Sequence, residues 1–222
     1  MHFKTIQASA FKSLFEVLKD VLNDVNIIFT PEGIQILTLD NARTALIDLT
    51  LNAENFEEYE CPTTINAGIN MVNMFKLLKV ISNNDTLEMN IISNDSVMIR
   101  VENADKRAKT EFKLHLLDID DDRIQMPSPN VQYITTLPST DFQRICRDMG
   151  NISSEITITR RENKLTLACS GDFAQQTTEL ETPETVGDAS EGTYSLKYIN
   201  VFTKATGMSS NMQIRQNTDS NF

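Results

Sequence analysis

"ASAFKSLFEVLKDVLNDVNIIFTPEGIQILTLD" (residues 8–40) and "PSTDFQRICRDMGNISSEITITRRENKLTLACSGD" (residues 138–172) follow one layout. Each opens with candidate helix caps, Ser9 in the first and Ser139 or Thr140 in the second, since a side-chain oxygen there can take an unpaired N–H of the first turn. Each continues in a helical pattern with an early phenylalanine, Phe11 or Phe142. Each then gives two apolar runs of strand length around a polar turn. "VNIIFT" and "IQILTL" flank "PEG"; "EITIT" and "KLTLAC" flank the turn at "REN". A helix followed by a hairpin, used twice, decides the fold class.

A second pair repeats as well. "INMVNMFKLLKVISNNDTLEMNI" (69–91) and "YSLKYINVFTKATGMSSNMQIRQ" (194–216) both place a cap candidate, Asn70 or Ser195, before a short helix and a strand. Gly150 and Gly207 stand where helices commonly end. Between the copies lies "LLDIDDDRIQMPSPNVQYI" (116–134), acidic and carrying Pro127 and Pro129, a linker by composition. The expected plan is a first domain at 1–117, a connecting loop at 118–133 and a second domain at 134–222. Strand meanders with a few short helices make it α+β, not a wound parallel sheet. After its second helix the first copy has strand candidates at 86–92, 96–102 and 109–117. The second copy has one, near 211–216, so its last two strands are expected to be missing.

The bulk numbers fit a globular chain. Of 222 residues, 40% are hydrophobic and 23% charged, and 31 acidic against 20 basic groups leave a net charge of −11. No window reaches the length of a membrane span, and "MHFKTIQASAF" lacks the apolar run of a signal peptide. Cys61, Cys146 and Cys169 are odd in number and form no CxxC pair, which reads as buried free thiols in a reducing compartment. So acidic a protein does not simply adhere to nucleic acid, because that affinity comes from neutralising phosphates. Any DNA contact requires the basic groups to be gathered in one place.

A helix wheel gathers them. In the first helix Phe11, Leu14, Phe15, Leu18 and Val21 form the apolar stripe, with Lys12 and Lys19 off it. In the second, Met74, Leu77, Leu78 and Ile81 face inward and Lys76 and Lys79 lie opposite. In the third, Phe142, Ile145, Cys146 and Met149 oppose Arg144 and Arg147. The fourth sets Lys197 and Lys204 beside Tyr198, Val201, Phe202 and Ala205. Basic side chains commonly decorate exposed helix faces, and Glu16 is spaced to pair with Lys12 at i,i+4. Four basic pairs in an acidic chain nevertheless describe a basic band if the helices share one side of a sheet layer, with the acids left on strands, turns and linker.

"LPSTDFQRICRDMG", "YSLKYINVFTKATGMSS", "FEEYECPTTINAGINMVNMFKLLK" (56–79) and "LTLDNARTALIDLTL" (37–51) resemble, in order and spacing, the proliferating cell nuclear antigen family of sliding DNA clamps. The likeness runs from Phe3 to the end of the chain. It implies a homotrimeric ring of two-domain subunits, with antiparallel sheets outside and two helices per domain on the inner face, around double-stranded DNA. Lys12, Lys19, Lys76, Lys79, Arg144, Arg147, Lys197 and Lys204 match the family's DNA-facing basic positions. The implied role is a processivity factor for the replicative DNA polymerase that also tethers clamp loader, flap endonuclease and DNA ligase, in the nucleus or a viral replication compartment. It implies no cofactor and no membrane.

The resemblance also implies a docking pocket for client motifs that carry a glutamine, an aliphatic residue and two aromatics. Leu39, Thr44, Leu46, Ile124, Met126 and Pro127 match pocket positions and Arg43 a rim position; Thr44 replaces a more apolar family residue. Part of the pocket wall belongs to the family's C-terminal segment, absent here. The family's ubiquitin-acceptor lysine position matches Glu162. For ring closure the implied edges are "KTEFKLHLL" (109–117) and "FAQQTTEL" (173–180), with Lys109, Glu111, Phe112, Lys113 and His115 on one and Gln175, Thr177 and Thr178 on the other. Phe112, Leu114 and Leu116 alternate with polar residues, as a half-buried strand requires, and edge pairing hides otherwise hazardous edges.

Two rivals stand beside this. An enzyme would need a site, yet His2 and His115 are the only histidines and there is no GxGxxG or P-loop. A Cys146–His115 pair competes with a core thiol, since Cys146 lies on the apolar stripe. "DIDDDR" lacks the glycine and distal glutamate of a calcium loop and reads as solvated linker. The other rival is a clamp-like interaction or regulatory subunit that does not encircle DNA.

Overall fold

The computed structural model describes all residues except 94, 104, 106, 121–123, 125–132, 162, 183–188 and 217–222. Two compact units divide the chain, Met1–Gln125 and Met126–Phe222. Their boundary falls inside the acidic, proline-bearing stretch.

The first unit runs β1 (His2–Thr5), α1 (Ala8–Val21), β2 (Asp24–Thr30), β3 (Gly33–Leu39), β4 (Leu46–Asn52), a 3-10 turn at Ala53–Asn55, β5 (Glu58–Glu60), β6 (Ile65–Asn70), α2 (Met71–Leu78), β7 (Asp85–Ser93), β8 (Ser96–Asn103) and β9 (Ala108–His115). The strands make two antiparallel sheets, in orders β4-β3-β2-β6 and β5-β1-β7-β8-β9. Strict alternation of burial along β2 and β7 turns one face of each sheet inward. Phe11 and Phe15 of α1, Ile27 and Ile36 of one sheet, and Met89 and Val97 of the other line one shared interior. Phe11 stacks on Phe15 with centroids 4.9 Å apart, and Phe3 meets Phe11 in a tilted contact at 5.6 Å.

The second unit repeats the order: β10 (Tyr133–Pro138), α3 (Ser139–Met149), β11 (Glu155–Arg161), β12 (Lys164–Ser170), β13 (Gln175–Glu181), β14 (Ser190–Ser195), α4 (Leu196–Phe202), a 3-10 helix at Thr203–Met208 and β15 (Asn211–Gln216). Its sheet β13-β12-β11-β14 reproduces β4-β3-β2-β6 strand for strand. Its second sheet holds only β10 and β15, the counterparts of β1 and β7, among the described residues. The core gathers Phe142, Ile145, Cys146 and Met149 of α3 against Ile156, Ile158, Leu165 and Leu167 of the sheet and Leu196 of α4. Beside β15 an apolar groove of about 390 Å³ stays open, walled by Phe142, Tyr194, Ile199, Phe202 and Met212.

Several local expectations change. Asn70 caps α2, its side chain accepting from the Asn73 N–H at 2.9 Å. Ser9 instead lies inside α1, whose cap position is Gln7, and Ser139 and Thr140 lie inside α3 behind Pro138. Ser195 occupies the cap position of α4 but its hydroxyl makes no capping bond. Gly150 does end α3, with a right-handed φ of −62°, so backbone freedom is not its reason. A Cβ there would stand 2.8 Å from the Asn200 amide, which donates to the Cys146 carbonyl. A larger residue would therefore have to displace the Asn200 amide from this contact between α4 and α3. Gly207 lies within the last 3-10 helix. Among the described glycines only Gly33, at the end of "PEG", has a positive φ (+147°).

Candidate functional site

The helices of the first unit pack on each other, and their basic residues converge. Phe75 of α2, absent from the expected stripe, is buried between them. Lys19 Nζ stands 5.0 Å from its ring centroid and Lys79 Nζ 5.4 Å, two cation–π contacts on one ring. Lys19 also pairs with Asp20. The half-buried Lys12 does not pair with Glu16. Its ammonium donates to the Ile81 carbonyl at 2.6 Å, just past the end of α2, where carbonyls lack intrahelical partners. Lys76 is exposed and donates to the Asn73 side chain at 3.5 Å. So Lys19, Lys76 and Lys79 form an accessible basic cluster, and Lys12 serves the junction of the two helices.

In the second unit the expected stripe of α3 is fully buried, and Arg144 and Arg147 are exposed on the opposite side. Arg147 reaches Asp148 only at 3.9 Å. Lys197 and Lys204 are both exposed but do not share one α-helix. Lys197 lies in α4 and Lys204 in the 3-10 helix that follows, because α4 stops at Phe202. Of the expected apolar partners, Phe202 is 38% exposed, and Leu196 carries the buried contact. Gln143 of α3 fixes the 3-10 segment, donating to the Thr203 carbonyl at 2.6 Å and accepting from the Thr206 hydroxyl at 3.3 Å.

The candidate docking loop is organised by a residue outside the expected set. The Asp40 carboxylate, buried at the end of β3, accepts from the backbone N–H groups of Ala42 (3.0 Å), Thr44 (2.6 Å) and Ala45 (2.8 Å). An aspartate opening a short polar turn is the signal that could have found it. The loop holds Arg43 at a positive φ of 56°, exposed beside Thr44. Leu39 and Leu46, both half-buried, face each other across the β3–β4 ladder. Ile124 is half-buried, and Met126, Pro127 and Glu162 lie outside the described residues.

Both expected closing strands are outermost in their sheets, β9 in the first unit and β13 in the second. Lys109, Glu111, Lys113 and His115 are exposed and Phe112 and Leu114 half-buried; Gln175 and Thr177 are exposed and Thr178 half-buried. Two charges on β9, Lys109 and Glu111, are already tied within the sheet. Arg100 of β8 donates to Glu111 at 2.7 Å and to Glu88 at 2.8 Å, and Lys109 reaches Glu102 at 3.4 Å. Arg100 holds the Glu111 carboxyl below the usual carboxylate range.

Cys146 is wholly buried and its thiol is pushed up to about 12 by desolvation, while His115 is exposed on an outer strand. Cys146 is a core thiol, not half of a nucleophile pair. Among the described residues no three His, Cys, Asp or Glu side chains come together as a metal site needs, and no helix is long and apolar enough to cross a membrane.

Comparison with known proteins gives two matches that together span the chain. Residues 1–124 match the family model described as "Proliferating cell nuclear antigen, N-terminal domain", and residues 125–222 match "Proliferating cell nuclear antigen, C-terminal domain". A protein of Paramecium bursaria Chlorella virus 1 described as "Probable DNA polymerase sliding clamp 1" is 36% identical over 231 residues, covering 96% of this chain and 86% of the relative.

Proposed function

The chain belongs to the proliferating cell nuclear antigen family, and from that membership we propose that it is a sliding clamp, a DNA polymerase processivity factor. Three copies close into a ring around duplex DNA through β9 and β13, and the helices line the hole. The observation that carries this reading is the placement of positive charge. In a chain of net charge −11, Lys19, Lys76, Lys79, Arg144, Arg147, Lys197 and Lys204 all project from helices, with most of them exposed. Diffuse contacts from such side chains to phosphates hold position without reading sequence, and hydrated lysines let the contacts slide. Topology supplies the retention that affinity does not.

The role is a tether and not a catalyst. Residues 118–133 connect the two domains, and Leu39, Arg43, Thr44, Leu46, Ile124, Met126 and Pro127 take short glutamine- and aromatic-bearing motifs of polymerase, clamp loader, flap endonuclease and ligase. Replication places the protein in the nucleus or a viral replication compartment.

The test is topological. Protein placed on a nicked circular plasmid by a clamp loader should co-elute with the plasmid in gel filtration and be released when the circle is cut. Equal retention on the circle and on the cut DNA would mean ordinary surface binding and refute the clamp.

A further inference from the structure

The helix pairs of the two units share one plan and differ at one contact. In each unit the fifth residue of the first helix reaches across to the end of the second helix or just past it. Lys12 donates to the Ile81 carbonyl, and Gln143 donates to the Thr203 carbonyl and accepts from the Thr206 hydroxyl. Counted from the first positions, Ala8 with Ser139 and Met71 with Leu196, Lys19 corresponds to Gly150 and Phe75 to Asn200. In the second unit Asn200 donates to the Cys146 carbonyl at 3.3 Å, and Gly150 leaves room for it, since a Cβ there would stand 2.8 Å from the Asn200 amide. In the first unit the same place holds a buried aromatic ring with an ammonium over it. The second helix of this fold therefore docks without an aromatic at this position, so packing alone does not account for Phe75.

The ring's further contacts are charges. Lys19 Nζ lies 5.0 Å from its centroid and Lys79 Nζ 5.4 Å. Two like charges brought to one place repel each other, and an ordered lysine gives up rotamer freedom. The negative face of the ring offsets both. We propose that Phe75 is a positioning residue for duplex DNA, holding the Lys19 and Lys79 ammonium groups together in readiness for phosphate. The inference rests on the reading of the helices as the DNA-facing surface. It adds a residue that carries no charge and, at 6% exposure, acts only through the two lysines. An ammonium over a ring keeps N–H groups for a phosphate oxygen. Binding normally costs the ordering of each long side chain at the interface. Here the ring does part of that ordering before DNA arrives.

Binding backgrounds with and without the lysines test this. Affinity for a short linear duplex is measured over a salt series for wild type, F75L, F75M, K19M/K79M and F75L/K19M/K79M, with circular dichroism confirming that each variant is folded at the assay temperature. F75L should weaken binding by roughly two- to ten-fold, the cost of ordering one long side chain. F75M, a second apolar filler, should match it. The slope of log affinity against log salt should stay that of wild type in both, because no cation is lost. In K19M/K79M the slope should fall by about 0.9 for each phosphate no longer neutralised, and adding F75L should then change nothing further. A residue that only supports the helix pair would weaken both backgrounds equally. Equal loss in both backgrounds, or wild-type affinity in folded F75L and F75M, overturns the positioning role while leaving the DNA-facing surface intact. Loss of the fold in both F75L and F75M would make the ring a core residue and overturn the role as well. A wild-type salt slope in K19M/K79M overturns the DNA-facing surface, and the positioning role with it.

Discussion

Lys19 and Lys79, from different helices, hold their ammonium groups near the same aromatic ring, Phe75, at 5.0 and 5.4 Å. The ring is buried while Lys79 is exposed and Lys19 half-exposed, so an apolar residue fixes where two mobile charges sit. That arrangement suits a surface that must attract phosphates without gripping them, because a cation–π contact orients an ammonium and leaves it donors for solvent or phosphate.

Removing exposed charges from the helices should change DNA binding without changing the fold. Lys76→Ala, Arg144→Ala and Arg147→Ala alter exposed residues, and each should shift stability by no more than about 0.5 kcal/mol. Binding to short linear duplexes should weaken in all three. The slope of log affinity against log salt should fall by about 0.9 for each phosphate no longer neutralised. Slopes identical to wild type would remove these residues from the DNA surface.

Lys12 should behave differently from Lys76, although the wheel treats them alike. Lys12→Met removes a charged donor from the Ile81 carbonyl and should cost about 1 kcal/mol in urea unfolding. Lys76→Met should cost about 0.5 kcal/mol or less. Equal effects would mean that the Lys12 contact contributes nothing at the helix junction.

Asp40→Ala should release the loop of residues 41–45 by removing the acceptor of three backbone N–H groups. A loss of about 1–3 kcal/mol in stability is expected, together with weaker binding of a glutamine/aromatic client peptide in calorimetry. Asp48→Ala, at an exposed position on β4, should change neither. Unaltered peptide affinity in Asp40→Ala would separate the loop from client docking.

Alkaline stability should carry the signature of Cys146. Its thiol rises from an ordinary value near 9.0 to about 12 in the fold. A raised folded value means that the folded protein keeps a proton the unfolded chain has lost between these limits. The contribution is complete below pH 9.0 and is lost as pH climbs toward about 12, with a slope of at most about 1.4 kcal/mol per pH unit for one proton. Cys146→Ala should flatten the decline in urea midpoint over that window. A native thiol that reacts readily with iodoacetamide at pH 8 would contradict the burial.

The repeat was fully legible in the chain. Burial on one side of a helix or strand imposes a period, and Phe11, Leu14, Phe15, Leu18, Val21, Phe142, Ile145, Cys146 and Met149, placed by period alone, are all buried. Strand ends moved by a residue or two. Caps were less legible, since Ser9, Ser139 and Thr140 are capping residue types that the structure leaves inside helices.

Sequence by itself determined a duplicated α+β chain, the inward stripes of α1 and α3, and the side on which most basic residues lie, because these follow from local period and the aversion of apolar groups to water. Only the tertiary structure decided that Lys12 turns to a carbonyl of another helix, that Lys19 and Lys79 share Phe75, that Asp40 winds its loop, and that β9 and β13 are edges. Each of those depends on partners distant in the chain or on the path the backbone takes to meet them, and no period within one segment records which group will arrive beside it.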